Sequence, residues 1–265
     1  MGLSELAGKY PFLKENIPFW ERYLAARDKV LDMLPAVLDV SALEAAGFKG
    51  RLARGVPFLA DVPVGIAPAD YAALTGAFAR AMAIEYSPDY WGERVPAWAD
   101  LTVTPDAQGF VQAEVHAAVA SFLESVVLPD EDTAGWLEPY CPVCGAGAAL
   151  GFIDQSGKKT LVCSHCHAVW QYLRTACGLC GHSQERGAVF LSADELPGWR
   201  LELCESCSHY LKVFDMREGL PDIISYPLFY LTTWELDLAA RSEGHQPALF
   251  AIFGRAGWLL PRTRH

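Results

Sequence analysis

The chain has 265 residues, eight cysteines, 52% hydrophobic and 20% charged residues, and a formal net charge of -11. That length allows one large domain or two modest ones with a buried core, and the composition excludes a disordered protein. The negative charge argues against a protein that coats nucleic acid or anchors to membranes through a polybasic patch, since both need clustered Lys and Arg.

The charge is unevenly placed. Residues 1–140 carry a net -10, residues 141–215 a net -1, and residues 216–265 are neutral. All eight cysteines lie between 141 and 207, so the chain divides into at least two parts of different chemistry. The first residues lack a basic segment followed by an apolar core, which argues against a secretory signal. Leu6 stands where a myristoylation site wants Ser or Thr. No uncharged apolar run reaches the roughly 18 residues that span a bilayer. The longest, Ile223 to Trp234, is interrupted by Pro227. The expectation is a cytoplasmic protein with no integral membrane segment, whose thiols stay reduced.

In chain order, Pro18 suits the first turn of a helix, and Phe19, Tyr23, Ala26, Val30 and Leu34 recur on one helical face. Pro35 should end or bend that helix. A second helix is expected from Pro68 to Tyr86, with Tyr71, Leu74, Phe78, Met82 and Glu85 in line and Ser87-Pro88 closing it. Thr104-Pro105-Asp106 is a helix start, with Thr104 as the capping hydroxyl and Asp106 near the positive end of the dipole. Val111, Val115, Ala118, Phe122 and Val126 continue its apolar face to about Leu128. Pro129 to Asp132 reads as an acidic linker, so Asp130 and Asp132 are solvated charge rather than a catalytic pair.

From Tyr140 to Asp215 the helical period gives way to short β-prone runs. These are Gly151–Asp154, Thr160–Val162, Val169–Leu173, Ala188–Leu191 and Leu201–Leu203. An aromatic-rich stretch, Ile223 to Ala240, reads as helical again, and the apolar tail Leu249 to Leu260 should pack back on the body.

The cysteines form four Cys-x-x-Cys pairs: Cys141/Cys144, Cys163/Cys166, Cys177/Cys180 and Cys204/Cys207. The gaps between pairs are 18, 10 and 23 residues. Long, short, long implies two successive four-cysteine modules with ribbon or rubredoxin-like spacing. Two residues between ligands make a tight turn that aims both sulfurs at one point. Gly145 and Gly181, directly after a pair, permit the positive φ such a knuckle needs. Four thiolates in a tetrahedron suit zinc or a single iron, so two metal ions, iron or zinc, are expected. A thioredoxin-like redox pair or an iron–sulfur cluster explains this symmetric spacing less well.

His165, His167, His182 and His209 lie in or beside the knuckles. With four cysteines per module they read as surface groups or supports of the ligands. Trp170 reads as core, and Arg174 as an electrostatic neighbour of the anionic sites. The chain has no phosphate-binding Walker loop, no nucleophile elbow, no zinc-protease helix motif and no dinucleotide fingerprint. Each centre would be fully ligated by protein, leaving no position for substrate. No catalytic residues and no cofactor-binding residues beyond the eight metal ligands are expected.

The motif Tyr140-Cys-Pro-Val-Cys-Gly145, with Cys163-Ser-His-Cys166, Trp170 to Arg174 and Cys177-Gly-Leu-Cys-Gly181, resembles the formate dehydrogenase accessory proteins, the FdhE family. Leu203-Cys-Glu-Ser-Cys-Ser-His-Tyr-Leu-Lys212 and the run Leu231 to Gly244 extend the resemblance. It is best over 139–244 and weaker in the helical part, where Gly55-Val-Pro-Phe-Leu59 is similar. His245 to His265 departs from the short tail of the family. The resemblance implies a cytoplasmic maturation factor. It would bind the catalytic subunit of a molybdenum- or tungsten-dependent formate dehydrogenase and carry all eight cysteines as metal ligands.

The expected architecture is α+β. A helical domain (1–135) is followed by two rubredoxin-like or zinc-ribbon modules (139–175 and 176–215) and a C-terminal helix with its tail (216–265). Two rival functions are a rubredoxin-like iron electron carrier and a zinc-ribbon nucleic-acid binder. The second lacks the basic face it needs, since only Lys158, Lys159 and Lys212 supply lysines there. The sequence leaves the oligomeric state open.

Overall fold

The computed structural model describes residues 3–39, 48–59, 65–87, 106–127, 133, 135–183, 189–192, 194, 196–219 and 232–247. The linker at 129–132, the start of the expected C-terminal helix and the tail 249–260 lie outside them. The described residues form two compact units, one comprising 3–127 with 143–145, the other 133–142 with 146–247.

The first unit holds α1 (Leu3–Lys9), α2 (Ile17–Val37), α3 (Phe48–Leu52), α4 (Pro68–Met82) and α5 (Ala107–Val127). In α2, Tyr23, Ala26, Val30 and Leu34 are buried as their spacing requires, while Phe19 stays exposed. Pro35 sits inside the last turn and the helix ends two residues later. Along α4, Tyr71, Leu74, Phe78 and Met82 are buried. It stops at Met82, short of the expected Tyr86, because Ala83 turns left-handed at φ 56 and Ile84 N–H bonds back to Ala79 O at 2.9 Å. An alanine carries no advance sign of that stop, which usually falls on glycine.

Asp106 is the cap that α5 displays, its Oδ1 accepting the Gly109 N–H at 2.7 Å; Thr104, the expected cap, lies outside the described residues. Val111, Val115 and Ala118 are buried, whereas Val126 is exposed and Leu123 takes a core place near the helix end. The three long helices α2, α4 and α5 pack on one another. Tyr23 on α2 donates to Glu114 on α5 at 2.7 Å, and burial raises the Glu114 carboxyl above its ordinary range.

The second unit is one mixed sheet. Its strands are β1 (Ala148–Ile153), β2 (Lys159–Cys163), β3 (Val169–Tyr172), β4 (Val189–Ser192), β5 (Trp199–Cys204), β6 (His209–Asp215) and β7 (Gln246–Pro247). The spatial order is β3-β2-β1-β6-β5-β4, with β7 beside β6. Antiparallel pairing joins β1 to β2, β2 to β3, β4 to β5 and β5 to β6, and β1 runs parallel to β6. Each four-cysteine module therefore supplies three strands, and the two sets merge through the β1–β6 ladder, Leu150 opposite Lys212 to Ile153 opposite Asp215.

Five of these strands fall near the β-prone runs. The central one, β6, has no such forerunner, because Tyr210 to Asp215 are all buried and include Lys212 and Asp215. A strand covered on both faces shows no alternation, and buried charges disguise it further. Asp154 shapes the β1–β2 turn, its Oδ1 accepting from Ser156 N–H at 2.8 Å and Lys158 N–H at 2.9 Å. Beyond the sheet, α6 (Trp234–Ser242) packs on β4, β5 and β7.

Candidate metal centres

Each Cys-x-x-Cys pair sits on a repeated backbone device. The amide of the first cysteine bonds the carbonyl five residues on, Cys141 to Ala146 at 2.8 Å, Cys163 to Ala168 at 2.9 Å and Cys177 to His182 at 2.9 Å. In the fourth knuckle Cys204 pairs with His209 at the β5–β6 junction. To close the loop, the residue after the second cysteine must turn left-handed. Gly145 (φ 79) and Gly181 (φ 76) do so as the sequence suggests. His167 (φ 64) and Ser208 (φ 55) do so as well, and their side chains hid the equivalence of the four positions. Backbone N–H groups inside the turns point at sulfur: His165 and Cys166 at Cys163 Sγ (3.3 and 3.4 Å), and Leu179 at Cys177 Sγ (3.4 Å).

The strands then bring the knuckles together in pairs. Cys141, Cys144, Cys163 and Cys166 form one cluster, and Cys177, Cys180, Cys204 and Cys207 the other, with the sulfurs of each within 4.8 Å of one another. The Cys141–Cys166, Cys180–Cys204 and Cys177–Cys207 Sγ separations are 3.5, 3.8 and 4.0 Å. Four thiolates about 2.3 Å from a central tetrahedral ion would stand about 3.8 Å apart, so both clusters have the size of an S₄ site. As thiols the sulfurs of the second cluster compete for protons. Hydrogen bonding between Cys177 and Cys180 pushes Cys177 up and pulls Cys180 down.

None of the knuckle histidines joins either cluster among the described residues. His209 instead places Nδ1 against the Cys207 carbonyl at 2.5 Å. Trp170 is buried, and its indole N–H donates to Glu138 O at 3.1 Å. Arg174 is exposed and donates to Gly157 O at 3.2 Å, so it braces the β1–β2 turn. Gly178, inside the third knuckle, rests on the sheet: a Cβ there would stand 3.0 Å from Leu211 Cδ2 and 3.1 Å from Leu161 Cδ2. The third knuckle thus covers a face shared by strands of both modules.

The sequence also gives no hint of what Tyr210-Leu-Lys212 does. Period-two geometry puts Tyr210 and Lys212 on one face of β6. Tyr210 donates to Asp237 Oδ1 at 2.6 Å and Lys212 to Asp237 Oδ2 at 2.9 Å. Together they fasten α6 to the strand that leaves the fourth knuckle. Burial lowers the Lys212 pKa, and Asp237 opposes that shift.

No helix among the described residues is long and apolar enough to cross a membrane. No family model matches the chain. It is 24% identical over 272 residues to an FdhE homolog of Aquifex aeolicus, an alignment covering 89% of each chain. It is 39% identical over 82 residues to an FdhE homolog of Pseudomonas aeruginosa, covering 28% of this chain and 26% of that one. Among solved structures, the crystal structure of the FdhE protein from Pseudomonas aeruginosa superposes with a TM-score of 0.66, covering 91% of this chain and 89% of that one at 18% identity.

Proposed function

We propose that the chain, similar to an FdhE homolog over nearly its whole length, is a cytoplasmic accessory protein that binds the catalytic subunit of a formate dehydrogenase and supports its assembly. The observation that carries this reading is the pair of S₄-sized cysteine clusters in a chain aligned with an FdhE homolog over nearly its whole length. In this reading Cys141, Cys144, Cys163 and Cys166 hold one metal ion, and Cys177, Cys180, Cys204 and Cys207 a second, iron or zinc. The ions supply folding energy that short strands and knuckles alone cannot. Four protein sulfurs complete each coordination shell, so the role assigned to the chain is to bind and mature a client, with no catalysis of its own.

The net charge of -11 sets this reading apart from a nucleic-acid-binding ribbon. Two experiments test it. Affinity capture of the chain from cells expressing a molybdenum- or tungsten-dependent formate dehydrogenase should bring down its catalytic subunit, and deletion of the gene should abolish formate oxidation. Normal formate oxidation in the deletion strain, with no complex detected, would sink the proposal. Metal analysis of anaerobically purified protein separates zinc from iron. A red, reversibly reducible protein with a mid-visible band would favour the electron-carrier role instead.

A further inference from the structure

The two clusters have the same ligands and nearly the same size but different surroundings. Every cysteine of the first is buried: Cys141 and Cys163 are 0% exposed, Cys166 1% and Cys144 5%. Pro142 and Val143, between the first pair, are buried with them. In the second cluster Cys177 and Cys204 are buried at 4% and 2% exposure, but Cys180 and Cys207 reach the surface. Their neighbours are open too. Gly181, His182 and Ser183 follow Cys180 in exposed positions, and Glu205, Ser206 and Ser208 flank Cys207 in the same state. The two partly exposed cysteines come one from each pair, each the second of its knuckle, whereas the first of each, Cys177 and Cys204, is buried.

Resting on the reading that both clusters hold metal, we infer that the two centres do different work: the first is a closed staple, and the second is an exchange centre open to an incoming thiol. A thiol, from a small molecule or a partner's cysteine, can approach the second cluster from the side of Cys180 and Cys207 without any strand separating. The exchange is redox-neutral. The incoming thiol forms one bond to the ion as the bond to Cys180 or Cys207 breaks, and its proton passes to the departing sulfur. Cys177 and Cys204 keep their hold throughout, so the knuckles stay in place. At the first cluster, whose four cysteines are all buried, the same approach first requires the covering chain to open locally, which is much rarer.

The test uses the full chain, anaerobically purified, with its metal content measured first. The protein is then treated with millimolar glutathione and a chromogenic chelator. Metal release is followed by absorbance, and iodoacetamide labelling of each cysteine by peptide mass spectrometry. One metal equivalent should leave about tenfold or more faster than the other, a ratio expected where one site needs opening of the fold and the other does not. Labelling should reach Cys180 and Cys207 before Cys141, Cys144, Cys163 or Cys166. Release of both equivalents with one rate constant, or earlier labelling of the first four cysteines, overturns the inference while leaving the metal reading intact. Protein that carries no metal and labels evenly at all eight cysteines overturns both. The Cys180→Ser variant adds a second readout. It should retain one equivalent, held at the slow rate, and the sheet's circular-dichroism signal; loss of the slow equivalent would count against the assignment.

Discussion

Lys159 of the first module and Glu202 of the second form a buried ion pair, with the two side chains 0% and 5% exposed. The Lys159 ammonium also lies 3.5 Å from the Ala176 carbonyl and 5.9 Å from the centre of the Tyr172 ring. The pair therefore ties together the two strand sets that the β1–β6 ladder joins. Removing one partner strands the other charge in the interior. Lys159→Met or Glu202→Leu should each cost about 3–5 kcal/mol, whereas the Lys159→Met/Glu202→Leu double variant should recover most of the loss. Denaturant unfolding of the four proteins in a double-mutant cycle measures it; additive losses would show that the two charges do not act as a pair.

The left-handed positions after each knuckle give a second expectation. An L side chain in that region costs about 1–2 kcal/mol, and the entropy glycine loses on folding takes back part of the gain from replacing it. His167→Gly and Ser208→Gly should each stabilise the protein by up to about 1 kcal/mol. Gly145→Ala and Gly181→Ala should destabilise it by a similar amount. Thermal midpoints of the metal-loaded proteins report both signs.

A third expectation concerns acid. Arg217 donates from Nε to Asp215 Oδ1 at 2.8 Å, and Arg200 also pairs with this carboxylate. The bonds from Arg217 hold the Asp215 pKa down to about 2, against an ordinary 3.8. A depressed carboxyl pKa contributes stability that is present above the ordinary value and lost as pH falls through the lowered one. The stability difference between the protein and Asp215→Asn should thus be constant near neutrality and shrink from about pH 4 to pH 2. Chemical denaturation across that range checks it. Taking a difference between two proteins with the same cysteines removes the acid sensitivity of the thiolates.

Asp237 offers a fourth. It is the acceptor shared by Tyr210 and Lys212. Asp237→Ala should take from the buried Lys212 amine the carboxylate that opposes its desolvation and cost about 3–5 kcal/mol. Hydrogen exchange should rise first in Trp234–Ser242. If that helix keeps its protection, Asp237 is not what holds it.

The grouping of the cysteines was legible because it is written in spacing. Four pairs at intervals of 18, 10 and 23 residues dictate which knuckles meet, and the helical faces of Tyr23 to Leu34 and Tyr71 to Met82 follow from apolar period alone. The merging of both modules into one sheet was not legible. It depends on β6, whose buried Lys212 and Asp215 look polar until Asp237 and Arg200 are found beside them. Partners that lie 15 or more residues away leave no local mark. Nor did the sequence separate the two clusters, since burial of a cysteine is set by the chain that folds over it rather than by its own motif.

The strand directions carry one more consequence. In the order β3-β2-β1-β6-β5-β4, β1 and β4 each follow the first knuckle of their module and point the same way, as do β3 and β6. The modules are therefore copies related by a sideways step, with no two-fold axis between them. A two-fold pair consumes the same surface on both halves and is finished; a step repeats head to tail and has no inherent end. Among the described strands, the outer edges β3 and β4 are the counterparts of the two edges joined at the centre. Nothing in the geometry of that step closes the series after two modules.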